Sequence, residues 1–185
     1  MELIELIIND DFKGVEAVSV VEHPAIELDF LALKEQKMTF AEVDKERRVL
    51  LGPALVPDKP IYRRDEATGQ EYNVVFSKDT VRKASELFFI NGYQSNTTEE
   101  HEIELNSNTV VESWIKEDEV NDKSVKFGLE APIGTWFISL KVDDDEVYQK
   151  AKRGELRGFS IEGYFASKLK RNDVRDALRA ILADV

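Results

Sequence analysis

There is no cysteine anywhere in the sequence. That excludes disulfides, thiolate metal ligands and a cysteine nucleophile, and it permits a reducing compartment. Histidine is almost as scarce. His23 and His101 are the only two, so a base that titrates near neutrality is one of them, or a perturbed carboxylate or amine. No apolar run approaches the roughly 20 residues that span a bilayer, which speaks against a membrane protein. The first residues, Met1-Glu2-Leu3-Ile4-Glu5, carry neither the basic stretch nor the long apolar stretch of a signal peptide. Positive charge is also short. With 25 Lys and Arg against 37 Asp and Glu the formal net charge is −12. Nucleic acid is therefore not an expected partner, because phosphate contacts need a basic face. A basic protein partner or a positively charged assembly surface stays open, beside the plainer reading that the charge keeps the protein soluble.

What is present fits one well-buried domain over residues 1–185, with 42% hydrophobic and 34% charged residues. Strands are expected over 2–8, 14–21, 71–76, 109–116, 136–142 and 156–165, where β-branched and aromatic residues concentrate. The stretch Arg48 to Val56 reads as a strand bent or bulged at Gly52-Pro53, and 57–69 as a loop. Ser77 can cap a helix over 78–90 that ends before Gly92. A second helix, over 143–153, begins with acids and ends with Lys and Arg before Gly154. From Asn172, the stripe Val174, Leu178, Ile181 and Leu182 predicts a terminal helix. The fold class is α+β, with a mixed or antiparallel sheet.

Two residues could carry chemistry. His101 stands among acids in Glu99-Glu100-His101-Glu102, where a carboxylate could orient one ring nitrogen; it could equally be an exposed histidine in an acidic loop. Ser160 lies in Leu156-Arg157-Gly158-Phe159-Ser160-Ile161-Glu162-Gly163. A strand serine flanked by glycines leaves room for a substrate backbone, or it is an edge-strand serine beside bulge glycines. The nucleophile elbow of α/β-hydrolases does not fit, because the second glycine comes one place late. Asp143-Asp144-Asp145-Glu146 lacks the spacing of a calcium loop, and no glycine-rich phosphate loop exists. Neither metal nor nucleotide cofactor is expected.

Several segments together resemble a known family. Gly134-Thr135-Trp136-Phe137-Ile138-Ser139-Leu140-Lys141-Val142, the acidic helix, and then the Ser160 motif resemble the nucleophile region of phage prohead proteases, nearest the XkdF-like branch. The stretch from Leu51 to Ile61 and a histidine about 60 residues before the serine fit the same branch. The resemblance runs from Gly14 to Phe165 and leaves out 172–185.

The resemblance implies a herpesvirus-assemblin type of fold, with a β-barrel-like core and flanking helices. It implies a Ser-His endopeptidase that processes scaffold and major capsid proteins inside the procapsid, in the host cytoplasm. Ser160 would be the nucleophile and His101 the general base. For the third member, Glu16 in Glu16-Ala17-Val18-Ser19 matches an acidic strand that follows the serine in many prohead proteases. Its position before the serine suggests a circular permutation. His23, Glu102 and Glu162 are alternatives, and backbone N–H groups near Gly163 or Arg157 could serve a developing oxyanion. Herpesvirus relatives act as dimers, so a homodimer is allowed. Two other readings remain: an inactive relative acting in capsid assembly, and an unrelated β-domain.

Overall fold

In a computed structural model of the protein, residues 2–9, 14–24, 31–33, 47–65 and 68–167 are described. The expected connector at 34–37 and the expected terminal helix from Asn172 lie outside them. In chain order the elements are β1 (Glu2–Ile7), β2 (Gly14–Val21), β3 (Leu31–Leu33), β4 (Val49–Leu55), β5 (Ile61–Arg64), β6 (Glu71–Phe76), α1 (Lys78–Ile90), β7 (Thr97–Glu99), β8 (Ile103–Glu104), β9 (Asn108–Ile115), α2 (Lys123–Lys126), β10 (Trp136–Val142), α3 (Asp145–Arg153), β11 (Gly158–Tyr164) and β12 (Ala166–Ser167).

The strands form three four-stranded sheets, in the orders β12-β1-β6-β5, β3-β4-β10-β9 and β11-β2-β7-β8. Two of them are mixed, through the parallel pairs β1 with β6 and β2 with β7. This is the expected mixed α+β class. The barrel-like core is not seen: among the described residues three separate sheets surround the core and none closes on itself.

Local signals explain where the helices begin and end. Ser77 accepts a hydrogen bond from the Thr80 N–H and starts α1, which buries Val81, Ala84 and Phe88 along one face. Asp144 caps α3 by accepting from the N–H groups of Glu146 and Val147, and Gly154 ends that helix at φ 74°. Strand β4 is buried along its whole length, as a strand covered on both faces should be. Its pairing with β10 shifts register beside Pro53, a bulge that accommodates a residue with no N–H to give. Strand β5 falls where a loop is expected. Its Ile61 is buried while Tyr62, Arg63 and Arg64 are exposed, the charged signature of a short edge strand.

The core determines which way the serine strand faces. Val15, Val18 and Val20 of β2, Phe159 of β11, Trp136 of β10 and Phe88 of α1 belong to one buried cluster. Phe88 meets Trp136 edge-on, with ring centroids 5.5 Å apart. Phe159 is fully buried, a gain of about 1.5–3 kcal/mol over leaving such a side chain in water. Slipping β11 by one residue would exchange Phe159 for Ser160 in the core. The burial of Phe159 therefore turns Ser160 and Glu162 to the opposite face of the strand.

Candidate active site

That opposite face carries every polar group of interest. Ser160 pairs with Ser19 across the β11–β2 ladder, and Glu162 pairs with Ala17. On the far side of β2, Ser19 is level with Thr98 of β7. Level with Ser160 and Glu162 the middle strand thus offers only small side chains, Ser19 and Ala17, on this face. A long side chain on β11 can pass over them and reach the β7 side.

Glu162 does so. Its Oε1 accepts a hydrogen bond from Thr98 Oγ1 at 2.5 Å and lies 3.1 Å from Nδ1 of His101. The imidazole is 40% exposed, so the ring is held by one nitrogen while the site remains open to solvent. An imidazole whose Nδ1–H is given to a carboxylate presents its Nε2 as a proton acceptor.

The backbone that delivers His101 is strained. Glu100 and His101 follow one another with φ of 52° and 62°, a left-handed region that non-glycine residues enter at a cost of roughly 1–3 kcal/mol each. Three contacts hold them there. The Glu100 N–H donates to Val20 O at 3.1 Å, and the Glu102 N–H donates to Glu99 O at 3.0 Å. The His101 N–H donates to Oγ of the fully buried Ser19 at 3.0 Å, and that hydroxyl in turn lies 3.3 Å from Thr98 O. The Glu100 carboxylate turns away and accepts from the Glu22 N–H at 2.6 Å. Just before the turn, buried Glu99 accepts from Lys150 of α3 at 2.8 Å. That hydrogen bond, then the contact with Glu146, holds the Lys150 ammonium above its usual pKa of 10.5. On the alkaline side the tie therefore persists through neutral pH and fails only in strong alkali.

The other candidates fall elsewhere. The carboxylate at His101 Nδ1 is that of Glu162, where Glu16 was the expected partner. Glu16 lies at the point where the β2–β11 register shifts, and it lines a groove of ≈ 580 Å³ together with Glu104 and Glu162. His23 is exposed, 3.8 Å from Glu22, and Glu102 is exposed in the turn. Ser160 is partly buried, and among the described residues its hydroxyl has no hydrogen-bond partner. No group of acids and histidines suited to a metal occurs among the described residues.

Of the two readings of the glycines, Gly163 fits the bulge: the β11–β2 register shifts between Glu162 and Gly163. A Cβ there would lie 2.0 Å from Gly14 O and 2.8 Å from Val15 Cα. The space it leaves is filled by β2 and is not open to a substrate. Gly163→Ala is expected to destabilise the protein by about 1–3 kcal/mol, since backbone on both strands must move. A urea midpoint equal to that of the wild type would show that the bulge relaxes freely.

Ser19 and Thr98 were not singled out from sequence. Ser19 carried a signal, as the one polar residue in the run Val18 to Val21. A serine, an imidazole and a carboxylate on one sheet face make up the side-chain set of a serine hydrolase. The chain belongs to the family described as "Putative phage serine protease XkdF", whose model matches residues 37–168. The match contains His101, Ser160 and Glu162 and begins after Glu16 and His23. No curated protein and no solved structure matches the chain significantly.

Proposed function

We propose that the protein is the serine endopeptidase of an immature phage shell, acting on scaffold and capsid proteins within the procapsid of an infected cell. The observation that carries this reading is the contact of His101 Nδ1 with Glu162, two residues beyond Ser160 on the same face of β11. Ser160 attacks the scissile carbonyl, and His101 takes its proton through Nε2 and returns it to the leaving amine. Glu162 orients the ring and balances the imidazolium. Water then hydrolyses the acyl-enzyme. Strand β2 lies beside β11, the slot in which prohead proteases would have a later acidic strand, and this supports reading the chain order as permuted relative to an assemblin-type fold.

The second reading is an inactive relative that acts in assembly. Among the described residues no hydrogen bond joins Ser160 to His101. Catalysis requires the hydroxyl and Nε2 to close to about 2.6–3.2 Å. A serine-directed fluorophosphonate decides between the two. Intact-mass analysis should show one adduct, located on Ser160 and absent from the His101→Ala protein. A protein that takes up no reagent, and leaves scaffold and capsid protein uncut, is the assembly relative.

A further inference from the structure

On the side of β11 away from His101 there is a hollow of ≈ 470 Å³. It is walled by β1, β4, β5 and β6 and by the core-facing side of β11. Leu6, Ile61, Val74, Phe76, Ile161 and Phe165 give it an apolar lining, and Ser160 is part of its wall. Arg63 is the one charged residue lining it, among those described. The size lies within the range of roughly 300–1,000 Å³ typical of ligand clefts. Among the described residues β11 pairs along one edge only, with β2.

We propose that this hollow selects the substrate: it takes a bulky apolar side chain, leucine or phenylalanine in class, next to the bond that Ser160 cuts. The inference rests on the reading of Ser160 as nucleophile and adds the specificity of that site. An extended peptide can lie along the edge of β11 that no strand pairs among the described residues, and alternate side chains of an added strand face opposite ways. With a carbonyl level with Ser160, the side chain beside it projects to the Phe159 and Ile161 side, into the hollow. An alanine there leaves the apolar walls without contacts, an ammonium loses its water with no counter-charge to meet it, and a carboxylate finds only the solvent-exposed Arg63.

The test uses the full chain carrying Ser160→Ala, which can hold peptides without cutting them. Labelled decapeptides that differ at one residue (Leu, Phe, Ala, Asp or Lys) are compared by fluorescence anisotropy. The Leu and Phe peptides should bind roughly 10–200-fold more tightly than the Ala peptide, the range in which an apolar pocket separates side chains. Adding Ile161→Trp, which fills the hollow, should erase the difference. Ile161→Ala, which enlarges it, should move the preference from Leu toward Phe, and serves if the Trp variant does not fold. Absence of binding, equal binding, or tighter binding of Asp or Lys overturns the inference. So does a peptide of residues 168–185 binding in preference to all five, or displacement by self-association of the chain. Failure of the wild type to cut peptides that the Ser160→Ala protein binds selectively is a different result. It sinks the protease reading and leaves the hollow as a peptide-binding cleft.

Discussion

Replacing Ser160 by alanine should lower the rate of scaffold and capsid cleavage by about 10⁴- to 10⁶-fold, the loss typical of removing a serine nucleophile. Folding should be almost untouched. The hydroxyl has no hydrogen-bond partner among the described residues, so removing it leaves no buried donor or acceptor stranded. His101→Ala should cost about as much, because a serine without its base is a poor nucleophile. The double variant should be no slower than either single one, since residues that work as a unit are not additive. Rates of purified proteins on a scaffold fragment, with denaturant midpoints measured alongside, give the comparison. Two mild single losses that multiply in the double variant would mean that Ser160 and His101 do not act together. Unchanged cleavage by Ser160→Ala protein would remove Ser160 from the chemistry altogether.

Much of the scaffold around this site was legible in the sequence, and the reason is local. The strand at 71–76, the helix at 78–90 capped by Ser77, and the strand at 136–142 carry periodicity or capping that a short window reveals. Strands β7 and β8 were not legible. Thr97-Thr98-Glu99 and Ile103-Glu104 are too short and polar to show alternation, and they exist because β2 offers an edge for pairing. His101 was singled out as a candidate, but its setting in a left-handed turn was not legible, because that conformation is held by Ser19 and Val20, some 80 positions earlier. The choice among the third-residue candidates was not legible for the same reason. Glu16 was favoured by resemblance in a linear motif, whereas the contact of Glu162 depends on which side chains of β2 are small enough to cross. Ala17 opposite Glu162 was the available signal, and it has meaning only once β2 is known to lie between β11 and β7.

Glu162→Gln should therefore be the most informative change that preserves shape, lowering turnover by about 10²- to 10⁴-fold, with the upper figure that of the aspartate-to-asparagine change in a serine protease triad. The carboxylate now accepts from Thr98 Oγ1 and sits against His101 Nδ1. A glutamine can still accept from Thr98, but its amide can turn an N–H toward the ring. Nδ1 would then have to accept, the proton would move to Nε2, and the base would face Ser160 in the wrong tautomer. The imidazolium formed during attack would also lose its compensating charge. Substrate binding should change little, so the loss belongs in kcat rather than in KM. Glu16→Gln, made in parallel, should turn over near the wild-type rate, because its position at the register shift is not the one that meets the ring. A large kcat loss for Glu16→Gln with little for Glu162→Gln would return the third role to β2. It would also mean that the His101 ring turns away from Glu162 when substrate binds. Thr98→Val supplies the intermediate case. It removes one of the two contacts that fix the Glu162 carboxylate and keeps the charge, so its kcat should fall between the wild type and Glu162→Gln.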